Sequence, residues 1–165
     1  MDKQEIFSKI AGKGWFEGVD DDKVAQLIDL SIVKKYSSSE FVYMIGDIQE
    51  NVFFVLEGQV QVSIVGQDGE EFVLTIWEPG GWFGEAAFHS DHSMPLEVRA
   101  TKDAKILAIP INAIDTVLDN GAAFYRSIML DMVGRAKLLY RLVEALLFMP
   151  LNARDSVRKL HLLKM

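Results

Sequence analysis

Residues 52–65 read Val-Phe-Phe-Val-Leu-Glu-Gly-Gln-Val-Gln-Val-Ser-Ile-Val, followed by Gly66-Gln67-Asp68-Gly69 and then by Phe72-Val-Leu-Thr-Ile-Trp77. Val60, Val62 and Ile64 alternate with Gln59, Gln61 and Ser63, a period of two that turns one face of a strand to a core and the other to water. The Gly-Gln-Asp-Gly segment marks a hairpin between two such strands. Outward from this hairpin the same texture recurs from Ser31 to Pro110, in SIVKKY, FVYMI, VFFVLEG, LEVRAT and AKILAIP, with glycine or turn residues between the runs. Short strands that close into a barrel or roll leave no exposed edges, so closure is expected over an open sheet.

Helical spacing flanks this region on both sides. Ile6, Phe7 and Ile10, then Val24, Leu27 and Ile28, define two short helices separated by the glycines of AGKGWFEG. Asp20 is in place to cap the second, and Asp21 and Asp22 suit the positive end of its dipole. After Pro110, Ile114, Val117 and Leu118 mark a short helix with Asn120-Gly121 as its glycine stop. Residues 122–148 then form the longest periodic segment, about 40 Å of helix at 1.5 Å per residue. Ile128, Met132, Arg135, Leu139, Leu142, Leu146 and Met149 follow the a/d spacing of a coiled coil, broken only by Arg135. Phe124, Val133, Ala136, Val143 and Leu147 form a neighbouring flank suited to packing on the β region. The first stripe is read as the seam of a parallel homodimer through residues 122–149. Burying its six apolar residues in both chains yields on the order of 18 to 36 kcal/mol at most, against an association cost of about 4 to 15 kcal/mol. The competing reading is one wide core face in a monomer.

With 165 residues, half of them hydrophobic, the chain suits a single domain with a sizeable core. The absence of cysteine excludes disulfides, thiolate metal sites and thiol redox sensing in this sequence. No apolar run approaches the length of a membrane span and the start lacks the apolar centre of a signal peptide, so a cytoplasmic protein with no membrane partner is expected. The net charge is −7, but residues 150–165 carry +3, leaving −10 on residues 1–149. A body so acidic repels a phosphate backbone. His89, His92 and His161 form no metal-ligand pattern, and no serine-nucleophile, P-loop or dinucleotide fingerprint occurs. The chain is therefore read as no enzyme, with no cofactor and no metal.

The stretch Glu78-Pro-Gly-Gly-Trp-Phe-Gly-Glu-Ala-Ala-Phe88 carries the binding signal. A glycine before a short helical turn lets backbone N–H groups of residues 84–87 converge on an anion, and Glu85 can accept a hydrogen bond from a hydroxyl. In order along the chain, Gly46-Asp47, Phe54-Val-Leu-Glu-Gly58, Gly80-Gly-Trp-Phe-Gly-Glu85, Val98-Arg-Ala100 and a long helix closing in Leu147-Phe-Met-Pro-Leu-Asn-Ala-Arg154 resemble the Crp/Fnr family of bacterial transcription regulators. The resemblance runs from about Phe7 to Leu163. It implies a mainly β fold with flanking helices: a double-stranded β-helix, the jelly-roll-like β-roll of cyclic-nucleotide-binding domains, followed by a long C-terminal dimerisation helix. It places N-terminal sensor helices at 1–30, the roll at 31–110, the short and long helices at 111–149, and the start of a truncated DNA-binding domain at 150–165. It implies an effector site at Phe83, Gly84, Glu85, Ala86, Ala87, Met94, Pro95, Arg135, Leu139 and Tyr140.

Two departures from the family pattern limit what carries over. Cyclic-AMP-binding members continue their phosphate cassette to an Arg followed by Ser or Thr; here those positions fall on Met94-Pro95 or Pro95-Leu96, depending on where the shorter loop is counted. The polar pair that meets adenine from the dimer helix falls on Leu139 and Tyr140. Losing the charge-assisted bond from that Arg weakens binding by roughly one to two decades, so an effector other than cyclic AMP is expected. An Arg135–Glu85 pair is one account of the broken heptad position; an Arg135 turned to water is the other. Second, Asn152–Met165 resembles only the first helix of a DNA-binding module, so DNA would be contacted through a domain absent from this chain. The resemblance implies RNA polymerase as a further partner. The alternative function is a ligand-free dimeric scaffold or protein-interaction module with a structural β-roll.

Overall fold

In the computed structural model, which describes residues 1–148, the apolar run and the alternating run of the opening stretch are one continuous strand. Six strands form an antiparallel sheet: β1 (Ile32–Tyr36), β2 (Phe41–Tyr43), β3 (Asn51–Val65), β4 (Glu71–Trp77), β5 (Trp82–Phe83) and β6 (Glu97–Pro110). The order is β1-β6-β3-β4, with β2 on β6 and β5 on β3. β3 and β6 pair from Asn51↔Pro110 to Ser63↔Glu97, and an unbent strand of 15 residues would reach about 50 Å. Register shifts between Val55 and Val60 break that length into two halves, letting the sheet fold over itself as a roll. Gly58 sits at the corner with φ +83°, where a Cβ would come within 2.1 Å of the Asp103 carbonyl oxygen.

Burial explains the two textures within β3. Val52, Phe54 and Leu56 pack against the helices, whereas Phe53 and Val55 point into the roll, so the apolar run is covered on both faces. Beyond the corner Val60 and Val62 are buried as the alternation requires. The expectation for the last two residues is corrected: Ser63 is buried on the outer face, where Gln61 and Glu71 cover it, and Ile64 is 43% exposed. Ser63 is satisfied by donating to Glu71 Oε1 at 2.7 Å.

Helices close one side of the roll. α1 (Lys3–Ile10) and α2 (Asp21–Asp29) are linked through a 3₁₀ turn at Gly14–Phe16, which buries Trp15 and Phe16. Asp20 occupies the α2 N-cap position, although its side chain makes no capping bond. α3 (Ile111–Leu118) ends through left-handed residues at Asp119 and Asn120, not through Gly121 as expected; a short polar side chain tolerates that conformation. α4 (Ala122–Phe148) is anchored by Phe124 and Ile128 in the same core as Trp15, Phe16 and Trp82. No helix among the described residues is long and apolar enough to cross a membrane. Met149 of the expected seam and the expected DNA-binding segment at 150–165 lie outside the described residues.

Candidate functional site

β5 and the turn after it deliver the site. Trp82 and Phe83 pair with Phe54 and Phe53 of β3, and Gly84 follows with φ +88°. A Cβ on Gly84 would lie 2.7 Å from the Phe53 ring, so a side chain is excluded by backbone conformation and by packing. The chain then enters a 3₁₀ turn, Glu85–Phe88, with Glu85 facing α4.

Arg135 of α4 reaches back to this turn. Its Nη1 lies 3.2 Å from Glu85 Oε1, and its Nη2 donates to Asp131 Oδ2 at 2.7 Å and to the Trp82 carbonyl at 2.8 Å. The guanidinium lies 4.9 Å from the Trp77 ring centre. Asp131 also accepts from Trp15 Nε1 at 2.8 Å, and Trp15 stacks on Trp82 at 5.1 Å, so the N-terminal turn, β5, the glycine turn and α4 meet at one guanidinium. A planar fork with five donors suits this role better than an ammonium. Arg135 Nε remains buried without a partner among the described residues.

Between the roll and α4 lies a cavity of about 500 Å³. Its walls are Val62, Leu74, Thr75, Ile76 and Trp77 from β3 and β4, Leu96 before β6, and Met132, Ala136, Leu138, Leu139 and Leu142 from α4. Tyr43, Phe83, Glu85 and Arg135 complete it. Burial pushes the Tyr43 hydroxyl far above the ordinary tyrosine range, with the Glu85 charge adding to the effect and Arg135 opposing it. Tyr43 is therefore a neutral hydroxyl at any physiological pH.

Of the residues expected at the effector site, Phe83, Glu85, Arg135 and Leu139 line this cavity. Gly84 lies behind it on Phe53. Ala86 and Ala87 pack with the roll interior, and the Ala87 N–H donates to the Gly84 carbonyl at 3.0 Å, which removes one donor from the expected convergence on an anion. Met94 is 1% exposed and belongs to the core, Pro95 is exposed on the outer surface, and Tyr140 is 72% exposed; none of the three lines the cavity. Leu96 takes the wall position instead. The loop histidines are engaged locally, His89 with Asp91 at 2.9 Å and His92 with the Ala87 carbonyl at 2.7 Å.

The first half of the stripe expected as the dimer seam faces this chain's own roll, and Leu139 beyond it is 46% exposed at the cavity edge. Ile128 is buried in the core, Met132 packs on it, Arg135, Leu139 and Leu142 line the cavity, and Leu146 is half-buried. Within the flank expected on the roll, Phe124 is buried and Ala136 lines the cavity, but Val133, Val143 and Leu147 are exposed. The two stripes are adjacent on one helix, and spacing alone does not say which leans on the roll. Tyr43, Trp77 and Asp131 were not read as site residues from the sequence, and Leu142 was read only as part of the dimer seam. Only Asp131 had a signal, four residues before Arg135 on a helix; Tyr43 and Trp77 reach the site through strand pairing.

The cyclic nucleotide-binding domain family matches residues 33–120. The chain is 24% identical over 134 residues to the cAMP-activated global transcriptional regulator CRP of Pasteurella multocida (strain Pm70), covering 81% of this chain and 64% of that protein. It superposes on the Thermus thermophilus Catabolite Activator Protein with a TM-score of 0.73 at 17% identity, covering 81% of this chain and 63% of that one. It matches the sensor domain of the transcriptional regulator DNR from Pseudomonas aeruginosa with a TM-score of 0.70 at 16% identity, covering 89% of this chain and 95% of that one. The chain thus spans less than two thirds of the curated relative's length and nearly all of an isolated sensor domain. At these identities the structural likeness speaks for the roll and the helix that follows it, and with more than half of its residues matched, the chain belongs to the cyclic nucleotide-binding domain family.

Proposed function

We propose that this chain is the sensor and dimerisation region of a Crp/Fnr-type bacterial transcription regulator, and that its cavity takes a small molecule other than cyclic AMP. The observation that carries this reading is the cavity between roll and α4, closed at one end by the Arg135–Glu85 pair. A molecule entering there touches the roll and the long helix together, so its binding energy can shift how the helix lies on the roll. Such a shift is the natural output of a sensor whose helix continues toward an effector domain.

Two features argue against cyclic AMP as the effector. The cassette position that holds the phosphate-binding Arg in cyclic-AMP-binding members falls here on a core Met94 or an outer Pro95, depending on how the loop is counted. The cation that is present, Arg135, is already held by two carboxylates. Dimerisation is proposed through the face of α4 that the roll leaves uncovered. Met129, Val133, Tyr140, Val143 and Leu147 lie along it and are each 47 to 72% exposed, with Ala136 at its border with the cavity. DNA and RNA polymerase remain proposed partners of the whole regulator, with the acidic roll itself no surface for a phosphate backbone.

The test is calorimetric titration of cyclic AMP and cyclic GMP into the chain, with the oligomeric state measured by light scattering in the same buffer. A dimer that binds neither nucleotide is expected. Micromolar binding of cyclic AMP would sink the ligand reading, and a monomer at high concentration would sink the proposed dimer.

A further inference from the structure

Resting on the reading of the cavity as the sensor site, we propose that its ligand is an uncharged amphiphile, an alkyl or aryl body carrying one hydroxyl or carbonyl head. Most of the wall is hydrocarbon, with Leu74, Ile76 and Leu96 on the roll side and Leu139 and Leu142 on α4. The volume of about 500 Å³ lies within the usual range for small-molecule sites. A cyclic nucleotide would bring a phosphate, a sugar and a base rich in polar atoms into that wall, each needing a partner it does not offer.

Charge selects the head. The charged lining residues, Glu85 and Arg135, pair at one end at 3.2 Å, and Asp131 holds the guanidinium at 2.7 Å from outside the cavity, so the three groups sum to a formal charge of −1. An anionic head meets the Glu85 carboxylate in the wall and must displace it from the guanidinium to gain a partner, while Asp131 holds the same guanidinium from outside the cavity. A cationic head meets the guanidinium while both carboxylates are already engaged. A neutral head meets neither penalty. It can pair with the Tyr43 hydroxyl, which is held by no hydrogen bond among the described residues, and donate to Glu85, whose ion pair with Arg135 uses Oε1.

The probes are octan-1-ol, octanoate and octylammonium at pH 7.5, equal in chain and different in head charge, with cyclic AMP alongside. Each is titrated into the 165-residue chain and into Y43F, with thermal stabilisation and tryptophan fluorescence as readouts, Trp77 being part of the cavity wall. Octan-1-ol is expected to bind about tenfold or more tighter than either charged probe, and Y43F to weaken octan-1-ol about three- to tenfold while leaving octanoate unchanged. Octanoate or octylammonium binding as tightly as octan-1-ol would overturn the proposal and leave the sensor reading intact. Cyclic AMP binding tighter than octan-1-ol would overturn the proposal while keeping the cavity as the sensor site. No saturable binding by any of the four would overturn the sensor reading and the proposal with it.

Discussion

Arg135 and Glu85 meet at 3.2 Å across the junction of the long helix and the glycine turn, although 50 positions separate them in the chain. The same guanidinium holds Asp131 and the Trp82 carbonyl, so one side chain on α4 ties down the turn that shapes the cavity. Removing it leaves two carboxylates and a carbonyl without their cation. R135L is expected to destabilise the chain by about 1 to 3 kcal/mol in urea denaturation, discounted because all three side chains keep some solvent contact. R135K should recover only part of this, since an ammonium cannot span the acceptors with the geometry of a fork. Equal stability of R135L and wild type would show the network to be incidental.

The placement of the two stripes on α4 separates folding from association. Ile128 is 9% exposed inside the chain's own core, and I128A should cost about 2 to 4 kcal/mol of stability. Val143 is 51% exposed on the neighbouring stripe, and V143E should leave the melting temperature of the roll nearly unchanged while weakening the proposed dimer at least about tenfold. Sedimentation at several concentrations reads this directly. A V143E dimer as tight as wild type would move the interface elsewhere.

Gly58 holds the corner where β3 folds over. A methyl group there would approach the Asp103 carbonyl oxygen at 2.1 Å in a left-handed backbone conformation, and the obstacle is backbone, which cannot swing aside. G58A is expected to lose about 2 to 4 kcal/mol by chemical denaturation. A near-neutral G58A would mean that the corner tolerates a different bend.

Two positions in the cassette loop should answer differently to the same charge. Met94 is 1% exposed in the core, so M94R buries an unpaired cation and should unfold the chain or lower its melting temperature sharply. Leu96 lines the cavity, and L96R should fold and gain cyclic AMP affinity by about tenfold. Calorimetry on both variants checks this; a well-folded M94R that binds cyclic AMP would reverse the assignment.

Tyr125 supplies a pH dependence. Partial burial, together with its hydrogen bond to Asp115 Oδ1 at 2.7 Å, pushes its hydroxyl from 10.0 up to about 12. The neutral hydroxyl is the form favoured in the fold, so its contribution is complete below pH 10 and disappears as the pH rises through about 12. Thermal melts between pH 9 and pH 12 should fall more steeply for wild type than for Y125F. Parallel curves would show that Tyr125 titrates as it does in the unfolded chain.

The roll and the long helix were legible in the residues because each depends on local periodicity and turn chemistry. The alternation at Gln59–Val62, the glycine hairpin at 66–69 and the unbroken helical spacing of 122–148 each express a backbone geometry that only a few neighbouring residues determine. The order of the glycine turns along the chain carried the family resemblance for the same reason. Tertiary structure alone decided which stripe of α4 faces the roll, why Ser63 and not Ile64 is buried, and that Met94 is core while Leu96 is wall. The helix face and the cassette loop turn on a rotation or an offset of one or two residues, which leaves the hydrophobic pattern almost unchanged while exchanging the faces it describes, and Ser63 is buried by the polar side chains of Gln61 and Glu71 that cover it.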